Sequence, residues 1–275
     1  FFWVTNYLET LLSAVTWKSI TNATIAREYR KLINEYAELT GCTDTPLDLQ
    51  CHDFSMRGLS YTEDAMFSAM GHMTYFNGTD TFPVKQVLKY FHDAEPMTGL
   101  TVPATEHSVM CMGTKESEID TFDRLLDLYP AGIVSIVSDT WDFWKVITSY
   151  TVLLKDKILA RKAIKDEKGN VLVPGRTVFR PDSGDPVKII TGYMSTEYYE
   201  KAGKYFCRKT DVELGEHEVK GAVEVLYDIF GGEHTDEGYI KLHDSVGLIY
   251  GDSITLDRCE AILARLKMKG FASSN

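Results

Sequence analysis

Cysteine, positive charge and long apolar runs are all scarce in this chain of 275 residues. The five cysteines (Cys42, Cys51, Cys111, Cys207 and Cys259) are odd in number, scattered and never spaced as CxxC. That excludes a disulfide framework and a structural zinc site, and it fits a reducing cytoplasm. Lys and Arg total 29 against 40 Asp and Glu, a formal net charge of -11. No broad cationic surface is left for nucleic acid or for an anionic membrane, so an anionic ligand must be held by a few local cations. No apolar run approaches the roughly 18 residues that span a bilayer. The opening "FFWVTNYLETLL" lacks the basic segment and the small-residue cleavage site of a signal peptide. A chain that starts on Phe and not Met reads as a fragment.

Proline is also rare, eight in all, yet Pro181 and Pro186 stand in one short stretch, "TVFRPDSGDP". They fix φ on either side of Asp182-Ser183-Gly184, and Gly184 allows a ligand to approach the backbone. The loop reads as a stiff ligand clamp, with Arg180 offering a planar fork to a carbonyl or phosphate and Asp182 accepting from hydroxyls.

With 44% hydrophobic residues the chain can bury one substantial core, since α/β barrels of about 250 residues form a single domain. Apolar spacing of three and four from Trp3 to Leu39, followed by Gly41, predicts a long helix with a glycine C-cap. "LDLQCHDFSMRG" reads as a short strand up to Asp53, and "YTEDAMFSAMGHM" as a helix with Thr62 as N-cap. Strand, acidic loop and helix then recur, through Asp139 in "GIVSIVSDTWDFWKVITSYTVLL", Asp182 in "TVFRPDSGDPVKIITGY" and Asp252 in "VGLIYGDSITLDRCEAILARLKMKG", where Gly270 is the C-cap. Such alternation predicts βα units and a parallel sheet, here pieces of an α/β barrel. "KAIKDEKGNVLVPG" reads as a hairpin, and the stretch from Tyr205 to Asp244 as one amphipathic helix between polar loops.

In barrels of parallel strands the chemistry gathers where strands end. Asp139, Asp182 and Asp252 fall there. Each could equally cap the helix that follows it. Three acids followed by Ser or Thr at one end of a fold also suit hydroxyls or Mg²⁺. "VPATEHS" adds Glu106 and His107, a candidate pair for proton transfer or phosphoryl acceptance, against a structural histidine. Phe54 is a ligand-stacking aromatic or core; Arg57 is a phosphate contact or a surface charge. Asp80 in "NGTDT" reads locally as an Asx turn.

Taken in order, "HDFSMRG", "GTDT", "VPATEHS", "VSDTWD", "FRPDSGDP" and "GDSITL" resemble the nicotinamide phosphoribosyltransferases of bacteria and phages, within the nicotinate/nicotinamide phosphoribosyltransferase family. The resemblance implies an irregular TIM-like α/β barrel of the type II phosphoribosyltransferases, incomplete at both ends, with residues 1–275 as a single catalytic domain. It implies transfer of phosphoribosyl from phosphoribosyl pyrophosphate to nicotinamide in NAD salvage, giving nicotinamide mononucleotide and pyrophosphate, with Mg²⁺ and with ATP as a coupled co-substrate. Phe54 would stack on the pyridine ring, Arg180 would meet the carboxamide oxygen, Asp80 the amide nitrogen and Arg57 phosphate. Asp182 and Asp252, with Ser183 and Gly251 beside them, would bind ribose. Asp139 and Asp182 would hold Mg²⁺, and His107 beside Glu106 would be the histidine that ATP phosphorylates. It further implies a cytoplasmic homodimer with shared sites and no nucleic-acid or membrane partner. The family's N-terminal aromatic and its glycine-rich phosphate loop beyond "FASSN" are absent here, so the isolated chain is expected to turn over poorly. A nicotinate phosphoribosyltransferase and a non-catalytic ligand-binding fragment are the alternatives.

Overall fold

The computed structural model describes residues 2–88 and 99–275. They form two compact units, one from residues 2–38, 42–88, 99–101 and Ser274, the other from 39–41, 102–273 and Asn275.

The first unit is built on one long helix, α1 (Thr5–Thr40), whose C-terminal half buries Ala26, Ile33 and Ala37. The first half leaves Tyr7, Leu8, Leu11, Leu12 and Trp17 exposed, and Trp3 just before the helix is exposed too. The helix ends as the sequence predicts, with Gly41 at φ +67° and the Cys42 N–H donating to Ala37 O at 3.0 Å. Polar contacts tie α1 to α2 (Thr62–His72): Ser19 Oγ donates to Phe67 O at 2.9 Å and Asn22 Nδ2 to Ser68 Oγ at 2.8 Å. Thr62 is the first helical residue and not the cap; Tyr61 occupies the cap position without a side-chain hydrogen bond, while Glu63 and Asp64 serve the helix dipole. Two short strands, β1 (His52–Asp53) and β2 (Gly78–Thr79), pair in parallel. Asp80 therefore stands at a strand end and not in an isolated turn, its N–H donating to Asp53 O at 2.9 Å.

The second unit centres on a parallel ladder. β3 (Ile133–Val137) and β12 (Val246–Leu248) both pair with β6 (Arg176–Arg180), and a bridge at Ala104 extends the ladder beyond β3. β3 is buried from Val134 to Val137, as strands of a parallel sheet commonly are. α4 (Glu118–Leu128) supplies Phe122, Leu125 and Leu126 to its core, at helical spacing. α3 (His107–Met110) precedes it. After β3 comes a helical stretch, α5 (Phe143–Lys145), a π turn (Val146–Tyr150), α6 (Thr151–Leu153) and α7 (Lys155–Leu159). The predicted hairpin is present as β4 (Ile164–Lys165) against β5 (Val171–Val173). Among the described residues the parallel strands make an open ladder, and no barrel closes.

The region read as one helix between loops is richer. β7 (Tyr198–Lys201), β8 (Lys204–Cys207) and β9 (Glu213–Leu214) form an antiparallel sheet, followed by α9 (Glu216–Lys220), α10 (Ala222–Phe230) and a hairpin of β10 (Gly232–His234) and β11 (Ile240–Leu242). Cross-strand aromatic pairs hold that sheet, Tyr198 with Tyr205 and Tyr199 with Phe206, both with centroids 5.5 Å apart. Strands this short, with polar residues between the aromatics, carry too little alternation to be read from sequence.

α8 (Pro186–Thr191) packs against α11 (Leu256–Met268), which ends at Gly270, φ +81°. Arg265 locks this pair: it donates to both Glu197 oxygens at 3.0 and 2.6 Å, to Thr191 Oγ1 at 2.8 Å and to Gly192 O at 2.6 Å. Lys188 also bonds Glu197. Burial pushes the Glu197 carboxyl up, but Arg265 and Lys188 outweigh it and pull it down to about 2. The stability this contributes is present above the ordinary glutamate range and is lost as pH falls through about 2. Arg265→Ala is expected to destabilise the chain by about 2–3 kcal/mol at neutral pH, the scale of lost charge-assisted hydrogen bonds. Denaturant unfolding at pH 7 and pH 3 measures it, and the variant should lose part of the wild-type difference between the two.

Candidate active site

Three strand ends of the second unit carry the aspartates singled out by sequence, and the structure resolves whether they are helix caps. They are not. Asp142 accepts from Lys145 N at 3.1 Å, Asp185 from Val187 N at 3.0 Å and the Thr255 hydroxyl from Arg258 N at 3.3 Å. In each case the cap lies three residues after the strand-end aspartate, in "DTWD", "DSGD" and "DSIT". Asp139, Asp182 and Asp252 are thereby left to do something else.

Asp139 ties the site together. Its Oδ2 accepts from Asp182 N at 3.0 Å, Ser183 N at 2.8 Å and Ser183 Oγ at 2.5 Å. Its Oδ1 bonds His107 Nε2 at 3.2 Å, while His107 Nδ1 lies 3.8 Å from Asp182 Oδ2. The Asp139 side chain is only 4% exposed. Burial raises its carboxyl, but the Ser183 hydroxyl, the two loop N–H groups and His107 together hold it below the usual range.

Asp182 is shifted the other way. Burial pushes its carboxyl up, Arg180 at 3.4 Å counters, and the neighbouring Asp139 and Glu106 add to the rise. Its Oδ1 has no hydrogen-bond partner among the described residues. That oxygen abuts Gly251: a Cβ there would stand 1.7 Å away. Arg180 is buried at the end of β6, and its carbonyl accepts from Ser138 N at 3.0 Å, extending the pairing of β3 and β6 past the last strand residue. Glu106 is the cap residue of α3, though its side chain does not cap the helix. Asp252 is exposed, and its Oδ2 accepts from the Ser253 hydroxyl at 2.7 Å, with Ser253 in the left-handed region at φ +57°. Thus Glu106, His107, Asp139, Arg180, Asp182, Ser183 and Gly251 come together, with Asp252 beside Gly251 in the chain.

Direct coordination of Mg²⁺ by Asp139 and Asp182 does not fit this arrangement. Asp139 has both oxygens engaged, three donors on one alone, and the unbonded oxygen of Asp182 is closed off by the Gly251 backbone. Among the described residues no cluster of three or more His, Cys, Asp or Glu is placed to hold a metal ion.

Phe54, Arg57 and Asp80 belong to the first unit. Phe54 packs beside the His52 ring, centroids 4.8 Å apart, and Arg57 is exposed on the turn Ser55–Gly58. Asp80 Oδ1 bonds His52 Nε2 at 2.8 Å and accepts from Thr101 Oγ1 at 2.5 Å. The turn that presents Phe54 and Arg57 is held by Asp53, a carboxylate that sequence reasoning passed over: it accepts from Ser55 N at 2.9 Å and Thr79 Oγ1 at 2.8 Å. Burial raises this carboxyl, and bonds from Ser55, Thr81 and Thr79 outweigh it and hold it low. Tyr250 was also missed. Its hydroxyl donates to Ser183 O at 2.7 Å and Gly184 O at 3.2 Å.

Among the described residues no helix is long and apolar enough to cross a membrane. Over its whole length the chain is 51% identical to the nicotinamide phosphoribosyltransferase of Acinetobacter baylyi, of which it covers 50%. It is 33% identical, over 99% of its length, to the nicotinamide phosphoribosyltransferase of Mycoplasma pneumoniae, of which it covers 52%. The chain therefore spans about half the length of the curated relatives it matches. Residues 49–275 match the model of the nicotinate phosphoribosyltransferase (NAPRTase) family, and on this match, with a mixed α/β scaffold, the chain belongs to that family.

Proposed function

We propose that the chain carries the phosphoribosyl-transfer site of a nicotinamide phosphoribosyltransferase, which makes nicotinamide mononucleotide and pyrophosphate from nicotinamide and phosphoribosyl pyrophosphate in NAD salvage. The observation that carries the reading is the group of carboxylates at parallel strand ends, released from capping and gathered around Arg180 and His107. Loss of pyrophosphate leaves an electron-poor ribosyl cation, and carboxylates fixed in place before the reaction stabilise it without reorganisation. Asp182 and Asp252, with Ser183 and Gly251, serve the ribose; Arg180 meets the carboxamide oxygen. Phe54 stacks on the pyridine, Asp80 accepts from the amide nitrogen and Arg57 meets phosphate. Mg²⁺ comes with the pyrophosphate of the substrate. A TIM-like barrel forming one catalytic domain, a homodimer with shared sites and a cytoplasmic location complete the reading.

In this reading His107 is the phosphoryl acceptor. Its bond to Asp139 places the ring proton on Nε2 and leaves the Nδ1 lone pair free to attack the γ-phosphorus of ATP as the bond to ADP breaks. His107→Ala is expected to make the transfer rate insensitive to ATP, measured as product formed with and without ATP; a stimulation equal to wild type would remove the histidine from that role.

Because burial and like charges hold the Asp182 carboxyl up, the ionised form that stabilises a cation is complete only above the ordinary aspartate range. Activity should rise with pH across that interval. Glu106→Gln takes away one like charge and is expected to move the acid limb of kcat/KM to lower pH. An unmoved limb would break the link to Asp182.

The test of the function as a whole is a coupled assay on a family-length protein that contains this chain, with phosphoribosyl pyrophosphate, Mg²⁺ and either nicotinamide or nicotinate. Nicotinamide should be preferred, because the Asp80 carboxylate accepts from an amide and repels a second carboxylate. Nicotinamide binding without product would favour a non-catalytic ligand-binding role.

A further inference from the structure

The loop Asp182–Asp185 is gripped from two sides. Asp139 takes its donors: the N–H groups of Asp182 and Ser183 and the Ser183 hydroxyl. Tyr250 takes its acceptors, the carbonyls of Ser183 and Gly184, at 2.7 and 3.2 Å. These two carbonyls flank Gly184, whose φ of +91° is one that glycine adopts readily and residues with a Cβ rarely do. One phenol therefore fixes the peptide on each side of the most permissive residue in the loop.

Tyr250 is itself anchored. Pairing between β12 and β6 continues beyond the last strand residues, with Ile249 N donating to Phe179 O at 3.2 Å and Gly251 N to Pro181 O at 3.1 Å. The residue between them is held in register opposite Arg180, so its ring has a fixed origin from which to reach the loop. The hydroxyl also keeps its proton. Burial, then the charges of Asp139, Asp182, Asp185 and Asp252, push it up to about 12, so it remains a donor at any pH at which the enzyme works.

We propose that Tyr250 is a positioning residue for phosphoribosyl transfer, holding Ser183 and Gly184 so that Asp182 and the Ser183 hydroxyl face the reacting ribose. The role rests on the phosphoribosyl-transfer reading of the site. It is indirect: Tyr250 acts through two backbone carbonyls and not on the substrate. The phenol ring could be replaced by Phe with the packing kept and only the clamp removed.

The experiment compares wild type, Tyr250→Phe and Tyr250→4-aminophenylalanine, the last keeping a para N–H donor, in a family-length protein. Tyr250→Phe is expected to lower kcat for transfer by about tenfold, the scale of one or two lost hydrogen bonds, with KM for nicotinamide and the melting temperature little changed. In the same variant the Asp182 and Ser183 amides should exchange with solvent at least severalfold faster. The amino analogue should recover most of both. Unchanged kcat and unchanged exchange in Tyr250→Phe overturn the proposal, as does a loss that the amino analogue fails to restore. If Tyr250→Phe does not fold, the amino analogue decides: near-wild-type exchange at Ser183 supports the clamp and fast exchange rejects it. Should the wild type itself transfer no phosphoribosyl, the functional reading falls, and the exchange rates alone still decide whether Tyr250 holds the loop.

Discussion

Gly251→Ala is expected to lower kcat/KM for the proposed phosphoribosyl transfer, in a family-length protein that still folds, by at least about a hundredfold, roughly 3 kcal/mol of transition-state stabilisation. An alanine Cβ at this position would stand 1.7 Å from Asp182 Oδ1 and 2.8 Å from its Cγ. The backbone cannot retreat, because Ile249 and Gly251 are bonded to Phe179 and Pro181 on the neighbouring strand end. The side chain of Asp182 must therefore swing out, leaving Arg180 at 3.4 Å and His107 at 3.8 Å behind. A double-mutant cycle identifies the cause: if the methyl group acts by displacing Asp182, then Gly251→Ala adds little once Asp182→Ala is present. Wild-type kinetics in Gly251→Ala, or full additivity in the double mutant, would detach the glycine from Asp182.

The scaffold of the second unit was legible where residues obey one period. β3, β6 and β12 are short apolar runs ended by Asp, Arg-Pro-Asp or Gly-Asp, and helices α4 and α11 carry their buried residues at intervals of three and four. The antiparallel sheet of β7, β8 and β9 was not legible, because its stability comes from cross-strand aromatic pairs whose partners lie several residues apart. Propensity read along the chain does not register contacts across it.

Of the site, the residue types were readable and their partnerships were not. The capping ambiguity at Asp139, Asp182 and Asp252 had an answer within the sequence: a second capping residue three places on in each case, Asp142, Asp185 and Thr255. One helix needs one cap, so the first aspartate of each pair was not needed for capping. Two other features needed coordinates. Tyr250 sits directly after an apolar strand and looks like one more strand residue until its hydroxyl is found on Ser183 and Gly184. Asp139 and Asp182 looked like equivalent metal-binding carboxylates, and the structure separates them, one saturated with donors and lowered, the other walled in by Gly251 and raised.

That separation makes Asp139 the second site of large effect, and the choice of substitution tells its two functions apart. Asp139→Ala removes the acceptor of three loop donors and the partner of His107 together. Each buried N–H left without a partner costs about 1–3 kcal/mol, less where water reaches it, so the Asp182 loop should lose its order and transfer should fall by roughly a thousandfold or more, about 4 kcal/mol. Asp139→Asn is different. Its amide oxygen can still accept from Ser183 and Asp182, but its NH₂ group now faces His107 Nε2 and can only donate. The imidazole proton must move to Nδ1, toward Asp182 Oδ2, and the lone pair that the proposed attack on ATP requires is lost. The asparagine variant should thus keep slow amide exchange at Ser183 and most of its ATP-independent transfer relative to alanine, while ATP stimulation disappears. Stability carries a third signature. The Asp139 carboxyl is held below its ordinary value in the folded chain, so its contribution is present above the unfolded aspartate value of about 3.9 and is lost as pH falls through the folded one. Unfolding free energy measured from pH 6 down to pH 3 should fall more steeply in wild type than in Asp139→Asn, and equal slopes would show that the loop donors do not depend on the charge of Asp139.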